Sequence, residues 1–124
     1  MKPKIPEALK AELTERANEL IETKLKPWRL DFDKTFKEKG FNYVVDMYTT
    51  WWRSYLYFCS KYRCPGANAI SEFFEARFTR MEYVGGRRFN LAYMRHTGRW
   101  CEVYDGLTVE ECLETIEKEQ IFWP

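Results

Sequence analysis

Residues 73–104 read FFEARFTRMEYVGGRRFNLAYMRHTGRWCEVY, and this stretch decides the fold. It contains three strand-like runs separated by two glycine-containing turns, at Gly85-Gly86 and at Thr97-Gly98. Apolar and polar residues alternate along the runs, which is typical of β-strands, and short glycine turns join antiparallel neighbours. We therefore predict a three-stranded antiparallel meander in this part of the chain.

The alternation also predicts the register of the first hairpin. A two-residue loop at Gly85-Gly86 would place Glu82 opposite Phe89 and bring charge into the apolar face. A three-residue loop at 85–87 instead gives these pairs: Tyr83 with Phe89, Met81 with Leu91 and Thr79 with Tyr93. Because a slip of one residue turns every side chain to the opposite face, we predict the three-residue loop, with one glycine at positive φ.

The second turn suits a two-residue loop, Thr97-Gly98, which places Arg95 opposite Trp100 and Met94 opposite Cys101. Two faces result, and neither is polar: one carries Leu91, Tyr93, Trp100 and Tyr104, and the other carries Ala92, Met94, Cys101 and Val103. A meander that is apolar on both faces is usually covered on both. We expect a helix, a partner chain or a ligand on each.

Length and composition bound the class of protein. The 124 residues suffice for a single domain, 1–124, and a hydrophobic share of 45% is that of a globular chain. The net charge of +1 argues against strong binding of polyanions by the protein as a whole. No stretch approaches the roughly 20 apolar residues of a membrane span, and no secretory signal is visible. We expect a cytoplasmic protein with reduced cysteines and no membrane association.

Helical periodicity marks both ends of the chain. Residues 6–26 are predicted to form a helix that Pro27 ends, with one apolar stripe: Leu9, Leu13, Ala17, Leu20, Ile21 and Leu25. Near the C-terminus, Thr108 and Glu111 have the spacing of a capping box. The helix that follows is predicted to bury Val109, Cys112, Leu113 and Ile116. The apolar residues 121–124 are predicted to dock on the sheet or on a neighbouring subunit.

The segment between the first helix and the sheet is harder to interpret. Asp33 could cap a short helix that runs through Lys39, with Gly40 as its stop. Four apolar side chains are expected to anchor the segment to the sheet: Trp28, Leu30, Phe32 and Phe36. We predict a covering element here and not a flexible linker.

Residues 41–63 are dense in the aromatic and β-branched residues that favour strands. We predict a hairpin that bends near Thr50 to Arg53, while a helix through 52–61 remains an alternative. A β-bulge near Thr79 would reconcile the shift of apolar parity along the third strand. The predicted fold is α+β: an antiparallel four- to five-stranded sheet with an N-terminal and a C-terminal helix packed on it.

No pattern of catalytic or metal-binding residues stands out. The four cysteines lack the doubled close pairs of a structural zinc site, and no phosphate-binding glycine loop is present, so we expect no metal and no cofactor. His96 lies at a predicted hairpin tip without a nucleophile tied to it by spacing. It is interpreted as a turn residue or, together with Arg95 and Arg99, as part of a small anion site. Without such a pattern, the sequence argues against enzymatic activity but does not exclude it.

Three hypotheses for function follow. In the first, the protein self-associates or binds a protein partner through an aromatic sheet face. In the second, the face binds single-stranded nucleic acid, because one strand interleaves cations with rings: Arg53, Tyr55, Tyr57, Lys61 and Arg63. This platform would be extended by Tyr83, Arg87, Arg88 and Tyr93. In the third, a pocket near Arg95 and His96 binds a small anionic ligand.

Overall fold

The computed structural model describes residues 3–124, and it has the predicted α+β architecture, an antiparallel sheet with helices from both ends of the chain. Five strands follow one another: Tyr43–Trp52 (β1), Tyr55–Arg63 (β2), Phe73–Gly85 (β3), Arg88–Met94 (β4) and Trp100–Leu107 (β5). Their order in the sheet is their order in the sequence, so each strand pairs with the strand before it. The sheet is therefore a meander with β1 and β5 at its edges.

Helices precede and follow the sheet. Within residues 3–124 the α-helices are Glu7–Leu20 (α1), Lys26–Phe32 (α2), Lys34–Glu38 (α3) and Val109–Lys118 (α4). A π-helical turn, Ile21–Leu25, joins α1 to α2, and a 3₁₀ turn, Gln120–Phe122, follows α4. No helix in this described range has the length and apolar content needed to cross a bilayer.

The register of the β3–β4 hairpin is the predicted one. Tyr83 pairs with Phe89, and the pairs Met81–Leu91 and Thr79–Tyr93 follow it. The expectation of one glycine at positive φ is wrong, because three successive residues have φ of 93°, 58° and 59°: Gly85, Gly86 and Arg87. The predicted three-residue loop is also wrong, because Gly85 pairs with Arg88 and the turn has two residues, Gly86-Arg87. A primed two-residue turn needs positive φ at both positions, and a register shift between Tyr83 and Gly85 restores the predicted pairs.

The predicted register of the β4–β5 hairpin is wrong by one residue. Met94 pairs with Trp100, and the backbone N–H of Arg95 donates to the carbonyl of Arg99 at 2.9 Å. The loop therefore contains three residues, 96–98, and its last residue, Gly98, has a φ of 81°. This slip turns Trp100 to the face of Ala92 and Met94, opposite to the predicted face.

The strand interpretation of residues 41–63 is correct, and the helix alternative for 52–61 is wrong. β1 and β2 form a hairpin whose turn, Arg53-Ser54, lies at the end of the predicted bend, with Arg53 at a φ of 53°. The bulge predicted near Thr79 is also present, because the pairing of β2 with β3 shifts between Thr79 and Arg77.

The core lies between the helices and one face of the sheet. All six residues of the predicted α1 stripe are buried, and so are the four predicted for α4. They pack on sheet residues that include Phe58, Met81, Phe89 and Leu91. The C-terminal segment docks on its own sheet, where Phe122 is fully buried and its carbonyl accepts a hydrogen bond from the Thr79 hydroxyl at 2.8 Å.

The prediction that Pro27 ends the first helix is wrong. The chain passes from the π turn directly into α2, in whose first turn Pro27 lies. In a regular helix, proline lacks the N–H and clashes with the carbonyl four residues before it. The π turn, in which the Lys26 N–H donates to the Ile21 carbonyl, widens the backbone at this point. The helical path can therefore continue past proline.

The segment 28–40 forms helices, as predicted, but its anchors differ from those expected. The Asp33 carboxylate does not cap α3; it accepts hydrogen bonds from the Val44 N–H at 2.8 Å and from Arg29 Nε at 3.0 Å. Phe32 is 53% exposed, and Leu30 and Phe36 are exposed as well. Of the four predicted anchors only Trp28 is half-buried, with its ring 4.7 Å from that of Trp123, and the buried Asp33, which joins α2 to β1, takes the anchoring role predicted for the other three.

Candidate binding surface on the outer face of the sheet

The two faces of the sheet have different surroundings. The inner face carries the core residues and meets the helices. The outer face is formed by the side chains that alternate with them: Tyr48 and Trp52 of β1; Tyr55, Tyr57, Cys59, Lys61 and Arg63 of β2; Phe73, Glu75, Arg77, Arg80 and Glu82 of β3; Asn90, Ala92 and Met94 of β4; and Trp100 and Glu102 of β5. Within residues 3–124, the side-chain contacts between helices and sheet belong to the inner face and the sheet edges.

Four aromatic rings form a continuous ladder across the outer face. The ring centroids of Trp52 and Tyr55 lie 6.1 Å apart, and those of Tyr55 and Tyr57 lie 6.0 Å apart, with both pairs stacked. The Tyr57 ring then meets the Trp100 ring at 5.7 Å. This aromatic ladder connects the end of β1 to the start of β5.

Arginine side chains lie against the rings of the aromatic ladder. The guanidinium of Arg77 is 4.1 Å from the Tyr57 ring centre. The guanidinium of Arg80 is 5.1 Å from the ring of Tyr55 and 4.9 Å from the ring of Trp100. Cation–π contacts of this kind stabilise a guanidinium away from water, because the ring face is electron-rich. The ladder and its arginines are therefore one packed layer.

Carboxylates lie between the cations on the same face. Glu75 accepts a hydrogen bond from the Tyr48 hydroxyl at 2.6 Å, and Glu82 accepts one from the Tyr55 hydroxyl at 3.2 Å. Burial raises the pKa of Glu102, and a hydrogen bond with Asp105 raises it further. The outer face thus combines aromatic rings with charges of both signs.

A comparison with known protein families now places the chain. Residues 5–124 match a family described as a domain of unknown function, DUF3024. The chain belongs to the DUF3024 family. No curated protein and no solved structure matches it.

The outer face of this DUF3024 chain holds most of the predicted nucleic-acid residues. Tyr55, Tyr57, Lys61 and Arg63 share it, while Arg53 lies in the β1–β2 turn with its guanidinium 4.5 Å from the Trp52 ring centre. Lys61 and Arg63 lie apart from the aromatic ladder, over the Phe73 ring at 4.8 and 5.3 Å.

The predicted extension of that platform is wrong. Tyr83 and Tyr93 belong to the inner face, where both contact the core. Arg87 pairs with Glu12 of α1 at 2.9 Å, and Arg88 lies 3.6 Å from Glu111 of α4. These four side chains are therefore not part of one surface with the aromatic ladder.

The anion site at the β4–β5 turn stays a prediction. Arg95, His96 and Arg99 are all exposed in that turn. Within the described part of the chain, their side chains make no ion pair or hydrogen bond with another group. The structure places them together in the turn and adds no further polar group to them.

Three members of the surface were not identified from the sequence. Arg77 and Arg80 lie on opposite sides of the β3 bulge, so simple alternation does not place them on one face. Trp100 was assigned to the opposite face through the wrong loop length. The glycine at the third position of the β4–β5 loop is the signal that could have corrected the register, since three-residue loops often end in a left-handed residue.

The cysteines do not add chemistry to this surface. Burial raises the pKa of the Cys59 thiol to about 11, and burial raises that of Cys112 to about 12. Such thiols are weakly ionised at neutral pH and therefore poor nucleophiles and metal ligands. Among residues 3–124, no group of three or more His, Cys, Asp or Glu side chains is arranged to hold a metal ion.

Proposed function

We propose that this DUF3024 chain is a protein-binding module whose outer sheet face pairs with the same face of a second copy. The observation that carries the proposal is the aromatic ladder with its stacked arginines on a face that no helix of residues 3–124 covers. Tryptophan, tyrosine and arginine are the residues that dominate binding energy at protein interfaces. Two sheets that pack face to face do so through the side chains of their facing surfaces.

The size of the outer face supports a pairwise interface. Five strands spaced by about 4.8 Å span about 20 Å, and seven paired residues at about 3.3 Å each span about 23 Å. The face therefore offers about 450 Å² in projection, and side-chain relief makes its accessible area larger. Specific complexes bury about 800 Å² on each partner. The face is at the small end of the range for specific interfaces, which suits a reversible dimer.

The charge pattern of the outer face supports a second copy as the partner. A twofold interface brings one surface against itself, so it requires a self-complementary surface. The outer face carries Arg77 and Arg80 near its centre with Glu75, Glu82 and Glu102 around them. A rotated copy can place the arginines of one chain against the carboxylates of the other. Alternating charge of this kind favours a like partner over a uniformly charged one.

Single-stranded nucleic acid fits the same face less well. Tyr57 is only 5% exposed and its ring contacts Tyr55, Trp100 and Arg77, so a base cannot stack on it without displacing a neighbour. The interleaved carboxylates would also repel phosphates. Binding of single-stranded nucleic acid is therefore the alternative that the experiment must distinguish from self-association.

The experiment compares Trp100→Ala with the wild-type chain by sedimentation. Because Trp100 forms one end of the aromatic ladder, its truncation is expected to weaken the dimer by about tenfold or more. Phe41→Ala is the matched control, since Phe41 is 55% exposed and its ring contacts Phe36 of α3, away from the outer face. Equal weakening by both variants, or no weakening by Trp100→Ala, would contradict the proposal. Tight salt-dependent binding of a single-stranded oligonucleotide by a monomer would favour the alternative.

A further inference from the structure

A second candidate site lies beside the outer face, where the β1–β2 turn approaches the start of α1. An open cleft of about 710 Å³ is bounded by Lys4, Ile5, Glu7 and Lys10 on one side and by residues 52–55 on the other. This volume falls within the range of about 300–1,000 Å³ that is typical of small-molecule sites. The cleft combines aromatic walls with three cations and one carboxylate.

The cations of this cleft differ from many others on the protein. Arg16, Arg87 and Lys118 are examples of cations that form ion pairs with glutamates. Within residues 3–124, by contrast, Lys4, Lys10 and Arg53 have no ion-pair partner. Glu7 is the carboxylate on the cleft wall, so the lining residues carry a net charge of +2, three cations against one anion. An anion is the ligand that would balance this charge.

The aromatic wall of the cleft points to a flat ligand. Trp52 is 51% exposed, and the Arg53 guanidinium lies 4.5 Å from its ring centre. The Ser54 hydroxyl is engaged, because it donates to the Pro3 carbonyl at 3.0 Å and joins the turn to the segment before α1. The Tyr55 ring also stacks on this indole at 6.1 Å, so a planar ring would take the place of the guanidinium on it and leave Arg53 to turn toward an anion. A simple inorganic anion would contact the cations alone and would make no use of this aromatic wall.

We propose that this cleft binds a planar heteroaromatic ring that carries a phosphate, the chemistry of a nucleoside monophosphate. The ring stacks on Trp52, and the phosphate is held by Lys4, Lys10 and Arg53. Glu7 accepts hydrogen bonds from an exocyclic amino group of the ring. A free nucleotide and the end of a nucleic-acid strand share this chemistry.

The proposal is tested by titrating the full-length chain with AMP and following tryptophan fluorescence and calorimetric heat. AMP is expected to bind at least about tenfold more tightly than adenosine, because charge-assisted hydrogen bonds to phosphate are stronger than neutral ones. Lys10→Gln and Trp52→Leu are each expected to weaken AMP binding by about tenfold. Lys39→Gln, which removes an exposed cation of the α3 end, is the matched control and should leave the affinity unchanged.

The outcomes separate the source of the ligand and keep this site distinct from the dimer. If a 5′-phosphorylated oligoadenylate binds no more tightly than AMP, the ligand is a free nucleotide. If it binds much more tightly than AMP, the ligand is the end of a nucleic-acid strand. Lys10 lies on α1 and not on the outer face, so its variant should leave self-association unchanged. No binding of AMP, or equal affinity of the wild-type and Lys10→Gln chains for AMP, would overturn the proposal.

Discussion

The ring of Trp100 lies 5.7 Å from the ring of Tyr57, although two strands separate β5 from β2 in the sheet. Three strand spacings amount to about 14 Å, so the two side chains must reach toward each other across the face. Between them lie Arg80 of β3 and the small residue Ala92 of β4, which are paired in the sheet. Ala92 is only 1% exposed. The side chains of Trp100, Tyr57 and Arg80 therefore cover Ala92 at the centre of the outer face.

This relationship predicts that Ala92 cannot be enlarged without cost. In Ala92→Leu the added side chain would displace Trp100 or Arg80, and overpacking of this kind costs about 1–3 kcal/mol. The free energy of unfolding should fall by this amount, and the tryptophan emission should shift as Trp100 moves. Val84→Leu, at a position that is 40% exposed on β3, should leave stability nearly unchanged. Equal stability of Ala92→Leu and the wild-type chain would contradict the packing described for this face.

The capping box of α4 gives a second prediction. The Thr108 hydroxyl accepts a hydrogen bond from the Glu111 N–H at 3.2 Å, and the Glu111 carboxylate accepts one from the Thr108 N–H at 3.0 Å. Thr108→Ala is expected to cost about 1 kcal/mol in a denaturant melt. Thr115→Ala, inside the same helix, should cost less, because alanine is the better helix former there. A larger loss for Thr115→Ala would show that the cap contributes little.

The buried Asp33 gives a third prediction. Removing its carboxylate leaves the Val44 N–H and Arg29 Nε without their acceptor, while the Arg29 guanidinium keeps its bond to the Pro124 carbonyl, and loss of one member of a buried pair costs about 3–5 kcal/mol. Asp33→Ala should therefore lower the midpoint of thermal unfolding far more than Asp31→Ala. Asp31 is the matched control, because it is exposed and its partner is the exposed Lys34. Similar midpoints for the two variants would be inconsistent with the role assigned to Asp33.

The thiols give a prediction about pH. Burial raises the pKa of Cys59 to about 11 and that of Cys112 to about 12, both from an ordinary value of 9.0. A thiol with a raised folded pKa favours the folded state below its unfolded pKa, and this stability is lost as pH rises from about 9 through the folded value. The free energy of unfolding should therefore fall above about pH 9. Cys59→Ser and Cys112→Ser together should flatten this part of the pH profile.

The same burial is expected to separate the four cysteines by reactivity. Cys64 and Cys101 are half-buried, so a thiol reagent at pH 8 should label them first, whereas Cys59 and Cys112 should react only as the chain opens. Mass spectrometry of the partly labelled protein distinguishes the two pairs. Early modification of Cys112 would contradict its burial on the core-facing side of α4.

The fold could be predicted from the sequence where hydrophobic alternation is strong. The pairing of Tyr83 with Phe89 was predicted correctly because the register one residue away would have placed Glu82 opposite Phe89. The prediction of the β4–β5 register was wrong because both faces of β5 carry apolar residues. A loop that is one residue longer or shorter therefore gives a strand of about the same apolar character on each face. Trp100, the residue on which the outer face depends, was for this reason assigned to the wrong face.

Features set by tertiary contacts could not be predicted in the same way. Continuation of the helix past Pro27 depends on a π turn, for which sequence periodicity gives no signal. Asp33 has the position of a helix cap, yet its carboxylate accepts a hydrogen bond from the Val44 N–H of β1. Local sequence patterns do not indicate a partner in another element. For the candidate surface, the residues of β2 were identified because they alternate regularly, whereas Arg77 and Arg80 were missed because a bulge separates them.

The most direct test of the proposed function is sedimentation equilibrium of the wild-type chain over a wide range of concentration. A face-to-face dimer predicts that the mass rises with concentration from 15.1 kDa toward twice that value. A mass of 15.1 kDa at every concentration would contradict the account.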